Sequence, residues 1–142
     1  MASAVYNSYK VSMLNGGINL STGPLYVALC TDSYTPNIAT DTYWSTPQAN
    51  EVTGTAYVAG GAALTGLSVT QDNTNNRGIF TAGNASWVSS TITARYAVIY
   101  LSTGVASTSP LIAYIDFGSN QSSTVGNFVI NWNVTNGILT VS

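Results

Sequence analysis

Thr91-Ile92-Thr93-Ala94-Arg95-Tyr96-Ala97-Val98-Ile99-Tyr100-Leu101 is the stretch that decides the fold. β-branched and aromatic residues fill it, which suits a pleated strand. Ala94, Tyr96, Val98 and Tyr100 alternate with Arg95, Ala97, Ile99 and Leu101, so both faces are apolar, and within that alternation Arg95 is the one charge. A strand apolar on both faces belongs in the middle of a sandwich or beneath a covering arm.

Outward from this stretch the chain reads as short strands separated by turn chemistry. On its N-terminal side, Ile79 to Ala82 and Ala85 to Val88 are strands, and Asp72-Asn73-Thr74-Asn75-Asn76-Arg77-Gly78 is a turn or exposed loop. Thr55 to Ala59 and Leu64 to Gln71 read as strands around Gly60-Gly61, and Leu25 to Thr31 as a strand started by Gly23-Pro24. On its C-terminal side come Leu111 to Phe117, Phe128 to Val134 and Ile138 to Val141, with Asn136-Gly137 predicting a hairpin between the last two. Val5, Tyr6, Tyr9, Met13 and Leu14, followed by Gly16-Gly17, predict a short N-terminal helix. The polar segment from Asp32 to Thr53 has no clear structure beyond a helical turn around Asp41 to Asn50, yet contains Tyr34, Tyr43 and Trp44. Unstructured segments of that length serve as functional or partner-binding arms. The fold expected is one mainly-β domain spanning residues 1–142. It is an antiparallel β-sandwich or jelly-roll-like barrel with a short N-terminal helix and a long aromatic-containing arm at about 32–53.

Composition removes most chemistry. The 142 residues are 45% hydrophobic and 6% charged, with no histidine and one cysteine. An average domain is about a quarter charged, so this surface is built from Ser, Thr and Asn instead. Lys10, Arg77 and Arg95 cannot make the basic stripe that phosphate backbones require, so no nucleic-acid partner is expected. Zinc sites draw on His and Cys, and Ser-His-Asp or Cys-His catalysis needs histidine, so no histidine and one cysteine exclude them. Gly54-Thr55-Ala56-Tyr57-Val58-Ala59-Gly60-Gly61 lacks the lysine and spacing of a phosphate loop. Calcium has oxygen ligands to choose from at Asp32, Asp41 and Asp72, but no Asp-x-Asp-x-Asp-Gly loop exists. The four Asn-x-Ser/Thr sequons are what so Asn-, Ser- and Thr-rich a chain yields by chance. No catalytic residue, cofactor or metal is therefore expected. Cys30, in the apolar run Leu25 to Cys30, reads as a buried thiol. The N-terminal stretch has no secretory pattern and no window is apolar enough to span a membrane. A product made in the cytoplasm, with no membrane partner, is the expectation.

Two of the five acids, Glu51 and Asp116, lie against apolar sequence, and a buried acid needs a partner. Glu51, Arg95 and Asp116 are the structural ion-pair candidates, with Arg95 expected to satisfy at least one carboxylate. Tyr34, Tyr43 and Trp44 either lap a neighbouring subunit or fold back over their own core. As exposed aromatics they would be interface candidates.

Several phrases, read in order, carry a resemblance. They are Leu25-Tyr26-Val27-Ala28-Leu29 leading to Ser33-Tyr34-Thr35-Pro36, Asn50 to Gly61, Trp87, Ser90 to Tyr100, and Pro110-Leu111-Ile112-Ala113-Tyr114-Ile115-Asp116-Phe117-Gly118. From Lys10 to its end the chain resembles a group of small tailed-bacteriophage virion proteins. The resemblance implies a non-enzymatic structural component, a capsid cement or decoration protein bound outside the major capsid protein shell. It would be a trimer or other small oligomer whose partners are the major capsid protein and copies of itself. The other readings are a tail, neck or fibre component, or a carbohydrate-binding β-sandwich using the aromatics as sugar platforms.

Overall fold

The computed structural model describes residues 3–142, and within them the stretch that opened the reading lies inside a longer strand. Strand β1 (Ala4–Val5) leads into helix α1 (Asn7–Asn15), followed by β2 (Leu25–Cys30) and the helical turn α2 (Ser45–Gln48). Then come β3 (Ala62–Ala63), β4 (Ser68–Asp72), β5 (Arg77–Thr81), β6 (Ala85–Leu101), β7 (Leu111–Ile130) and β8 (Leu139–Val141). A 3-10 turn at Ala106–Thr108 lies between β6 and β7. All strand pairs are antiparallel. The larger sheet has the order β1-β7-β6-β2-β3 and the smaller β4-β5-β8. Both sheets are open, so the architecture is a sandwich and not a closed barrel.

The two-sided burial of the deciding strand is real, and each face has its own cover. Ala97 and Ile99 of β6 join Val27 and Leu29 of β2 and Phe80 and Leu139 of the smaller sheet in the core between the sheets. On the opposite face Val98 and Tyr100 join Ala28, Cys30, Tyr6 and Leu111 under Tyr34 and Trp44. Segment 32–53 is thus the third layer of the molecule. It folds back on its own sheet because that face would otherwise leave valine, leucine and tyrosine in water.

The predicted alternation slips at Arg95. Ala94 shares the inter-sheet core with Ala97 and Ile99, while Tyr96 packs with Val98 and Tyr100 on the outer face. The pairing register jumps there from Ala94↔Gln121 to Tyr96↔Asp116. A bulge changes which face a side chain takes.

Other boundaries differ for similar reasons. Ala85 to Val88 and Thr91 to Leu101 are one strand, joined through a bulge with Ser89 in left-handed backbone (φ 52). Leu111 to Phe117 and Phe128 join across residues 118–127, which no predicted strand covers, and Ser90–Ser123 and Thr93–Ser122 hydroxyl pairs bridge the strands there. Thr55 to Ala59 is not a strand; only Thr55 pairs, with Thr91. Of the predicted strand Leu64 to Gln71 only the end is strand, from Ser68 in β4; β3 (Ala62–Ala63) precedes it and residues 64–67 are irregular. Asn136-Gly137 does turn, with Gly137 N–H donating to Asn133 O, but it delivers β8 to β5 in the other sheet, not back to β7. Ile138 N–H donating to Phe80 O fixes that crossing. The predicted helix forms and ends at Gly16, whose φ of 74 is the left-handed cap that glycine favours.

Candidate functional site

Arg95 and Asp116 meet as predicted. They face one another across the β6–β7 register jump, with Arg95 Nε donating to Oδ1 at 2.6 Å and an Nη to Oδ2 at 3.2 Å. The guanidinium lies 5.5 Å from the Tyr96 ring centroid. Oδ1 also accepts the Gly118 N–H at 2.8 Å. The Arg95 hydrogen bond first, and this backbone donor next, hold the Asp116 carboxyl below its ordinary range. Both side chains keep about a third of their surface in water (30% and 33%), so the pair fixes the geometry of the bulge more than it adds stability.

Glu51 does not join them. Its Oε1 accepts the Tyr57 hydroxyl at 2.7 Å and the Gly60 N–H at 2.6 Å. Tyr57 Oη in turn accepts the Leu29 N–H at 3.0 Å, and Tyr100 donates to Gly60 O at 2.6 Å. The carboxylate is a bracket that fastens loop 54–61 to the edge of β2. Burial, then the Glu51 hydrogen bond, push the Tyr57 hydroxyl well above the ordinary phenol range, so it stays a donor. Beside this bracket the Cys30 thiol is fully buried, and desolvation pushes it up to about 12. It is an unreactive core group, as its apolar run suggested.

The three aromatic candidates separate. Tyr34 (3% exposed) and Trp44 (2%) are core residues of this chain and are not available as anchors for a neighbour. Trp44 stacks on Tyr100 with ring centroids 4.8 Å apart and planes 2° from parallel. Tyr34 donates to Asp41 Oδ2 and shares a 2.8 Å hydrogen bond with Tyr6. Desolvation is the main cause that raises both phenols. Tyr43, 44% exposed, alone remains on the surface.

A second ion pair escaped the sequence reading. Arg77 Nε donates to Asp72 Oδ2 at 2.9 Å, while its Nη atoms reach Asn136 Oδ1 and Thr135 O. Asp72 and Arg77 are directly opposite across β4–β5, so the flanks of the Asn-rich turn held the signal. Asp72 is lowered to about 2, by its Asn75 hydrogen bond first and Arg77 second.

Among the described residues no three His, Cys, Asp or Glu side chains converge as metal ligands would. No helix is long and apolar enough to cross a membrane. The surface feature that does stand out is the far half of the β6–β7 hairpin. Residues 85–94 and 117–131 contain no charge, and Val88, Val125 and Val129 point outward, 62%, 80% and 43% exposed. Family models, curated proteins and solved structures were all compared with this chain, and none matches.

Proposed function

We propose that this chain is a non-enzymatic bacteriophage virion structural protein, a cement or decoration protein on the outside of the major capsid protein shell. The observation that carries the reading is the charge-free far half of the β6–β7 hairpin, with its outward valines. Charged side chains are depleted from the cores of protein interfaces, and a neutral surface meets neighbouring subunits without like-charge repulsion. The phrases resembling small phage virion proteins supply the kind of assembly. The partners in this reading are the major capsid protein and further copies of the chain, and the site of action is the capsid surface after synthesis in the host cytoplasm. The carbohydrate-binding reading loses support, because Trp44 and Tyr100 spend their ring faces on one another. The test is copy counting by mass spectrometry of purified virions. Hundreds of copies per particle, lost together with capsid labelling by an antibody to this chain, are the expected result. A handful of copies would move the assignment to neck, tail or fibre, and absence from the particle would end it.

A further inference from the structure

Strand β7 has two long edges, and the fold treats them differently. One is paired along β6 from Ala85 to Tyr100. The other pairs, among the described residues, with β1 at Ala113 and Tyr114, a contact that Ser3 closes by accepting the Asp116 N–H on its Oγ. Among the described residues no strand lies along that side from Phe117 to Ile130. An unpaired row of backbone donors and acceptors is a template for another strand, and proteins usually blunt it with Lys, Pro or a charge. Phe117 to Ile130 contains no Lys, Arg, Asp, Glu or Pro. β7 inserts residues into the ladder between Leu111 and Ala113, between Asp116 and Gln121 and between Ser123 and Gly126; within Gly126–Ile130 it inserts none, and the extra residue opposite that segment belongs to β6, at the Ser89 bulge. Asn127 to Ile130 line an open groove of about 600 Å³ whose other end is Ser3 and Phe117.

We propose that Gly126–Ile130 pairs antiparallel with the same edge of a second copy of this chain, across a two-fold axis at Phe128. In a pairing of identical edges every side chain meets one from its own strand, so a charge on the edge would meet its like near the axis. Neutrality is the complementarity such an edge needs, and this edge has it. Asp116, which lines the same groove, is already neutralised by Arg95. The register places Asn127 opposite the second copy's Val129, both on the outward face, while Phe128 and Ile130 stay in their own core (6% and 3% exposed). Val125 and Val88 flank the seam and gain cover from it. The inference concerns the isolated chain and does not depend on the virion assignment.

Sedimentation velocity with light scattering on the purified full chain tests it. The expected species is a dimer of twice the 14.8 kDa chain mass. Val129→Lys weakens self-association by about tenfold or more, with circular dichroism unchanged. Asn127→Asp combined with Val129→Lys restores it, because the carboxylate introduced in each copy faces the amine introduced in the other. Val69→Lys, at a site 55% exposed on β4, leaves the dimer intact. A wild-type chain that stays monomeric to its solubility limit overturns the proposal. So does a closed trimer, or a dimer that Val129→Lys leaves untouched.

Discussion

Tyr57 joins three segments through one oxygen: it accepts from Leu29 N–H and donates to Glu51, which also holds Gly60. Tyr57→Phe keeps the ring and removes the oxygen, leaving a backbone donor on a fully buried residue without this partner. The expected loss is roughly 1–3 kcal/mol, read as a lower urea midpoint with unchanged slope; an unchanged midpoint would show that water replaces the hydroxyl. Asp72 supplies a pH-dependent counterpart. Its folded value of about 2 lies below the ordinary 3.8, so the stability it contributes is complete above about pH 4 and disappears as pH falls through 2. Asp72→Asn is expected to flatten the acid side of the Tm–pH curve between those values while leaving its neutral plateau shape unchanged. A variant curve parallel to wild type across that window would rule the linkage out.

At the scale of elements, the 32–53 segment is the third layer of a sandwich, and the Trp44–Tyr100 stack is its main fastening. Trp44→Ala removes a side chain that is 2% exposed. The expected cost is about 3–5 kcal/mol, measured by chemical denaturation, and a loss below 1 kcal/mol would mean the segment is not integral. Deleting Asp32 to Asn50 should for the same reason fail to give a folded chain, since it bares Val98, Tyr100 and Ala28. Much of this was legible. The double apolar face of Thr91 to Leu101 required a cover, and the only uncommitted aromatic-rich segment was this one. The direction in which Tyr34 and Trp44 point was not legible, because an aromatic anchor and an aromatic lid have the same composition. The continuity of β7 through Gly118 to Asn127 was also hidden. Ser, Thr, Asn and Gly read as loop, and hydroxyl pairs between strands become visible only once the register is known. Glu51 found a tyrosine and a backbone amide instead of an arginine, and neither partner leaves a charge signature in sequence.

For the whole molecule, scarcity of charge means little electrostatics to screen. Two of the three cations are in ion pairs, and Lys10 donates to Asn7. Raising NaCl from low ionic strength to about 1 M should therefore shift Tm by less than about 2 °C. A larger drop would show that surface charge contributes more to stability than the geometry implies. The fold class was readable from periodicity and turns, but the sheet to which the last strand belongs was not. Asn136-Gly137 specifies a reversal, and tertiary contacts, the hydrogen bond from Ile138 to Phe80 and the β5–β8 ladder, select which sheet receives it.

The placing of those three cations also governs how the protein meets a protease. Trypsin cuts after Lys and Arg, and Arg77 and Arg95 sit within paired strands, each clamped to a carboxylate. Only Lys10, on the exposed side of α1, offers a cleavage point that does not require a sheet to open. The folded chain should thus pass through a tryptic wash nearly whole. Once denatured, its last tryptic fragment is the long, hydrophobic run from Tyr96 to Ser142, poorly suited to detection. Digestion beside its tyrosines and tryptophans would make the chain visible.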